Sequence, residues 1–133
     1  MKLTTKSEYS LLALIYIARY GKDEYVKVEK ICDKYDITKK YLEHLLTALK
    51  QSRLIKTKRG AQGGYMLARP ANKITVAEVI RLMDGALAPT ESVSEFYFET
   101  TPISKEKKAL KEFKGIRDYI SRRLERLTIA DLV

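Results

Sequence analysis

The chain has 133 residues, of which 45% are apolar, and a net charge of +9. That length fits one domain, or one domain with an appended arm, and the apolar fraction excludes an intrinsically disordered chain. The positive charge points to a polyanionic partner, nucleic acid ahead of an anionic membrane surface. No apolar run approaches the ~20 residues that span a bilayer, and the N-terminus lacks a secretory leader pattern. A cytoplasmic protein with no membrane partner is expected. The single cysteine, Cys32, excludes an internal disulfide. With the single histidine, His44, it leaves too few soft ligands for a zinc or iron–sulfur site within one chain, unless carboxylates or a second subunit contribute. No cofactor and no metal site are expected.

The elements are predicted as follows. Thr5-Lys6-Ser7-Glu8 fits a capping box and opens a helix that runs to about Tyr20 and stops at Gly21. Its apolar residues, Leu11, Leu12, Leu14, Ile15, Ile17 and Ala18, lie on more than one face, so a neighbouring subunit or a packed C-terminal arm is expected against it. Val26 to Tyr35 reads as a short second helix, and Asp36-Ile37 as the turn. Thr38 is a suitable N-cap for a third helix over 38–52. In that helix Leu42, Leu45, Leu46 and Leu49 form one core stripe at i, i+3, i+4, i+7. Two short strands follow, Leu54 to Lys58 and Tyr65 to Ala68, with Gly60, Gly63 and Gly64 between them. Thr75-Val76-Ala77-Glu78 opens a helix through Met83 that Gly85 stops.

Residues 86–104 show no period, and a loop of that length is usually functional or disordered. Ser104 is the expected cap of a long last helix, in which Phe113, Ile116, Ile120, Leu124 and Leu127 make a narrow stripe. That stripe fits a coiled-coil seam more than a core face. The expected architecture is mainly α with a small two-stranded β wing: a winged helix-turn-helix over 1–85, a sensor or partner loop over 86–104, and a dimerisation helix with the C-terminal segment over 105–133.

Charge locates the site. Between Asp36 and Arg69 there are eight basic residues against two acidic ones, a net +6 in about a quarter of the chain. A polar helix face followed by a basic hairpin is how a winged helix-turn-helix grips duplex DNA, the helix reading bases and the wing holding phosphates. On the helix, Lys39, Lys40 and Tyr41 are expected at phosphates or thymine methyls. Glu43 is expected at a cytosine amino group and His44 at a base edge. On the wing, Lys56, Lys58 and Arg59 are expected at backbone or minor groove. Thr38, Gly60 and Tyr65 complete the expected DNA face.

The competing account is a solvated cationic face on a domain used for protein contacts. Cys32, on the apolar side of the second helix, is a core filler by default and a redox-sensing thiol in the sharper account. Leu12 and Ile15 with the seam Phe113, Ile116, Ile120, Leu124 and Leu127 are the candidate dimer surface. A two-fold dimer would meet a palindrome. No Ser/His/Asp set, second histidine or phosphate-cradling loop suggests catalysis.

The chain resembles the Rrf2 family of bacterial transcriptional regulators along nearly its whole length. The resemblance rests on Met1-Lys2-Leu3-Thr4-Thr5-Lys6-Ser7-Glu8-Tyr9, on Tyr41-Leu42-Glu43-His44-Leu45-Leu46, and on the wing Arg59-Gly60-Ala61-Gln62-Gly63-Gly64-Tyr65-Met66-Leu67. Ile74-Thr75-Val76 and Leu127-Thr128-Ile129-Ala130-Asp131-Leu132 add to it. It implies a homodimeric winged helix-turn-helix whose long C-terminal helix crosses onto the partner subunit. Tyr41, Glu43 and His44 would meet the operator, and Arg59 would be the basic wing residue. His44 stands where the family often has Gln.

Iron–sulfur members carry three cysteines before the long helix, and residues 86–104 hold none. The resemblance is therefore to the cluster-free branch, which includes regulators of cysteine metabolism that act with a partner enzyme. A metabolic enzyme or a small-molecule effector is thus a further candidate partner. The resulting expectation is a homodimeric DNA-binding repressor of a palindromic double-stranded operator. Its rival is a protein-interaction module that regulates a partner enzyme, with DNA binding secondary.

Overall fold

A computed structural model describes residues 1–133. Its order is α1 (Thr5–Tyr20), α2 (Val28–Tyr35), α3 (Lys39–Gln51), β1 (Ile55–Lys58), β2 (Gly64–Leu67), α4 (Val76–Asp84) and α5 (Lys107–Arg126), with single 3-10 turns at Ala71–Lys73, Glu91–Val93, Pro102–Lys105 and Ile129–Leu132. No helix is long and apolar enough to cross a membrane. The expected class holds: a mainly helical chain with one antiparallel hairpin, in which Ile55 faces Leu67 and Lys58 faces Gly64.

One core joins α1, α2, α3 and the hairpin through Leu14, Ile17, Ile31, Leu42, Leu46, Leu49 and Leu54. The leucine stripe of α3 is buried as its spacing predicts, which turns Lys40, Glu43, His44 and Thr47 outward. Truncating any of these leucines to alanine would cost about 2–5 kcal/mol. A second, smaller cluster of Val76, Ala77, Ile80 and Leu87 sits beneath Ile120, Leu124 and Leu127 of the C-terminal region. The last residues then return to the first core. Val76 N–H donates to the Leu127 carbonyl at 2.8 Å, Ile129 N–H donates to the Ile74 carbonyl at 2.9 Å, and Ile129 is fully buried.

Several local expectations change because a tertiary partner wins. The first helix is not closed by a Thr5–Glu8 box. Thr4 is its N-cap residue, and the Thr4 hydroxyl and amide both donate to Asp84 at the end of α4. Burial raises the Asp84 carboxyl, and these hydrogen bonds outweigh it to hold the group below the ordinary carboxylate range. The second helix starts at Val28 rather than Val26, because Val26 pairs with Tyr65 across a β-bridge (2.7 and 2.8 Å). Thr38 occupies the N-cap position of α3 without a side-chain capping bond. Ser104 does not cap the last helix. It closes a reciprocal box with Thr101 around the preceding 3-10 turn, and α5 begins behind Glu106.

Thr75 caps α4 by accepting from the Glu78 amide at 3.1 Å, but the Glu78 carboxylate turns to Arg69 instead of reaching back. Thr75→Ala should therefore lower stability by about 1 kcal/mol, read from the midpoint of chemical denaturation. An unchanged midpoint would mean that the cap is dispensable.

The end of α3 carries an unusual residue. Leu54 N–H bonds the Leu49 carbonyl (3.0 Å) and Arg53 N–H bonds the Lys50 carbonyl (2.9 Å), which is the Schellman closure of a helix. Its left-handed position, normally glycine, is held by Arg53 at φ 60°. A side chain there costs about 1–2 kcal/mol.

Residues 86–104 are packed on their neighbours. Leu87, Ala88, Ser92, Val93 and Ser94 are buried. Arg117 Nη1 donates to the Val93 carbonyl at 2.9 Å, and the Arg81 guanidinium lies 4.9 Å from the Phe96 ring centre. None of α5 is buried within the chain, and Ile116 and Tyr119 remain exposed. Leu12, Ile15 and Phe113 are half-buried.

Candidate nucleic-acid interface

The β1–β2 hairpin brings Lys58, Arg59 and Tyr65 of the predicted set beside α3. A groove of about 300 Å³ between α3 and the hairpin is lined by Thr47 and Lys50 from the helix and by Lys58, Arg59 and Tyr65 from the hairpin. Glu43, His44, Lys40, Lys56 and Arg59 are exposed, and none of them forms an ion pair. The hairpin tip is fastened to the segment leading into α2: Lys27 Nζ donates to the Gly60 carbonyl at 3.2 Å, and the Lys58 ammonium lies 5.9 Å from the Tyr25 ring centre. Lys27 and Thr47 were not among the sequence candidates. Nothing in a linear reading pairs residue 27 with residue 60.

Three predicted residues have structural duties as well. Lys39 bridges to Glu29 at 2.9 Å, which holds its ammonium above and the Glu29 carboxyl below their ordinary ranges. Both ends are well exposed, so the pair is weak and can be exchanged for a phosphate. Tyr41 is half-buried and stacks edge-on against Tyr9, with centroids 5.8 Å apart. Tyr65 ties β2 to Val26 through its backbone. Burial pushes its phenol up, with the Glu43 and Glu29 carboxylates acting in the same direction, so it meets any ligand as a neutral donor.

Cys32 is partly exposed. Burial pushes its thiol up, and Asp33 and Glu29 add to the rise, so the neighbouring Lys30 and Lys34 do not activate it. A protonated thiol is a poor nucleophile. Cys32 should react with iodoacetamide at pH 7.5 more slowly than free cysteine, as mass spectrometry over time would read. A faster reaction would reinstate an activated thiolate.

A three-helix unit with an exposed polar third helix and a basic hairpin beside it is a winged-helix DNA-binding protein. The chain belongs to the Rrf2 family of transcriptional regulators: residues 3–133 match the family, which is described as iron-dependent transcriptional regulators. It is 33% identical to the Rv1287 protein of Mycobacterium tuberculosis, over 99% of this chain and 81% of that one. It is 30% identical to the helix-turn-helix regulator CymR of Bacillus subtilis, over 99% and 89%. Among solved structures it resembles CymR, the global cysteine regulator of B. subtilis (TM-score 0.79, 29% identity, 99% of this chain and 95% of that one). It also resembles T. potens IscR (TM-score 0.70, 28% identity, 99% and 85%).

The family description raises the question of iron. Cys32 on α2 and His44 on α3 are the chain's only cysteine and histidine, and nowhere do three His, Cys, Asp or Glu side chains gather to hold a metal. These residues do not fit an iron or iron–sulfur group within one chain.

Proposed function

We propose that this regulator acts as a homodimeric, sequence-specific repressor of a roughly palindromic operator and works without an iron–sulfur cluster. The observation that carries the reading is the exposed α3 face, Lys40, Glu43 and His44, set beside a basic wing whose Lys56 and Arg59 have no protein counter-charge. Residues 1–85 would bind DNA, with Thr38, Lys39, Lys40, Tyr41, Glu43 and His44 at the major groove and Lys56, Lys58, Arg59, Gly60 and Tyr65 at backbone or minor groove. Residues 105–133 would dimerise through Phe113, Ile116 and the uncovered sides of Ile120, Leu124 and Leu127, whose other sides cap Val76, Ala77, Ile80 and Leu87 of their own chain, with Leu12 and Ile15 adjoining. The exposed Ile116 supports this. Repression would follow from an operator that overlaps a promoter. CymR's role suggests cysteine-metabolism genes as the first operators to examine.

The test is selection of bound genomic fragments by the purified protein, with and without reductant. A shared two-fold motif is the expected result, unchanged by reductant if Cys32 only fills space. Absence of any motif would sink the reading. Within that motif, Glu43→Ala should relax the base preference at one position per half-site, worth about 1–3 kcal/mol of discrimination. Arg59→Ala should weaken binding across all sequences. A Glu43→Ala profile identical to wild type would remove α3 as the reading element.

A second reading draws on the 86–104 segment, where Phe96, Tyr97 and Phe98 are exposed between Glu95 and Glu99. An apolar tip of this kind suits a partner enzyme, with DNA binding secondary.

A further inference from the structure

Next to the groove between α3 and the wing lies a second recess, of about 640 Å³, lined by Lys50, Arg53, Lys56, Thr57 and Arg69. The two share Lys50 and Thr57, so one basic surface runs from the reading face of α3 past the foot of the wing. Arg69 is committed, bonded to Glu78 at 2.6 Å and to the Lys73 carbonyl at 3.4 Å. Lys50, Arg53 and Lys56 are exposed and take part in none of the chain's four ion pairs. The recess runs along β1 and the chain that follows β2, with Ala68 and Arg69 on its far side. Arg53 also holds the left-handed position that glycine would fill without strain. Folding alone gives no reason for an arginine there.

We propose that Lys50, Arg53 and Lys56 form a phosphate site that grips the DNA backbone flanking the half-site, extending the footprint beyond what α3 and the wing tip contact. This rests on the DNA-binding reading above. A concave trio of free cations beside the proposed DNA surface attracts the next phosphate along the same strand. The guanidinium adds the two-pronged donor geometry that a phosphate accepts. The strain at residue 53 is then retained for binding rather than for stability.

Arg53→Gly separates these roles because they change in opposite directions. In the full chain the variant should melt a few degrees higher, having lost a strained side chain. Two duplexes carrying the selected operator are compared, one ending at the outer base pairs of the half-sites and one extended by about ten base pairs on each side. On the extended duplex the variant should bind roughly tenfold more weakly, with a salt slope shallower by about 0.9 for each phosphate lost. On the trimmed duplex it should match wild type. Lys50→Gln, which also touches the groove beside α3, should weaken binding to the extended duplex more than to the trimmed one, without the rise in melting temperature.

Equal binding of variant and wild type to the extended duplex would overturn the proposal, as would an equal loss on both duplexes. Inorganic phosphate that stabilises wild type but not the variant, with DNA binding identical, would assign the recess to a free anion and overturn it too. A wild-type protein that selects no motif would bring down the regulator reading and this site with it. A wild type that binds while Arg53→Gly behaves identically would bring down this site alone.

Discussion

Gly63→Ala is expected to reduce operator binding by at least roughly 100-fold, because in the proposed dimer it would remove the wing's phosphate contacts from both protomers at once. Gly63 is buried in the turn of the wing, where its amide bonds the Gly60 carbonyl at 3.0 Å. A Cβ there would collide with the Lys58 carbonyl oxygen and lie 2.8 Å from the Arg59 carbonyl carbon. Both obstacles are backbone, so neither can swing aside, and the turn must open. That displaces Lys58 and Arg59 and breaks the Lys27–Gly60 bond that fastens the tip to the segment before α2. The main core of α1, α2 and α3 does not include the wing tip. Circular dichroism should therefore show the helical signal retained while a mobility-shift titration shows affinity lost. Wild-type affinity in this variant would mean that the wing is not a DNA contact.

The second large effect is salt. With two copies of Lys40, Lys56 and Arg59 in a dimer, at least six phosphates are candidates for neutralisation. Raising salt from 50 to 200 mM should then lower operator affinity by about 10³-fold. The cause is counterion release, which scales with the number of phosphates covered and not with base contacts. The same titration separates the two functional readings. A partner-docking tip built on Phe96, Tyr97 and Phe98 buries apolar surface, and its binding should hardly change over that range. A flat salt response of operator binding would favour the interaction-module account.

What could be read from the residues in order was whatever local periodicity and charge control. The Leu42, Leu45, Leu46 and Leu49 stripe committed α3 to one orientation, because only one face of a helix can be apolar at that spacing. Its opposite, Glu43-bearing face followed by necessity. The glycines and flanking short strands marked the wing, and the run of lysines and arginines marked the candidate site. The single cysteine and histidine bounded the metal chemistry before any fold was known.

The tertiary structure decided the rest, wherever a side chain or backbone group had two partners to choose between. Thr4 and not Thr5 takes the N-cap position of α1, and Asp84 from the end of α4 takes the Thr4 donors. Val26 leaves its helix to pair with Tyr65, an exchange of backbone hydrogen bonds that a periodicity cannot weigh. Cys32 meets Asp33 and Glu29 more strongly than the lysines nearby in sequence, because distance through space sets the field. Arg53 looked like one more cation in a basic run. Its left-handed backbone and the recess it shares with Lys50 and Lys56 arise only when the helix closes onto Leu54 and β1 lies down beside it. Helical and strand periods are local properties of the chain, whereas partners are chosen by packing, and it is packing that gave these residues their tasks.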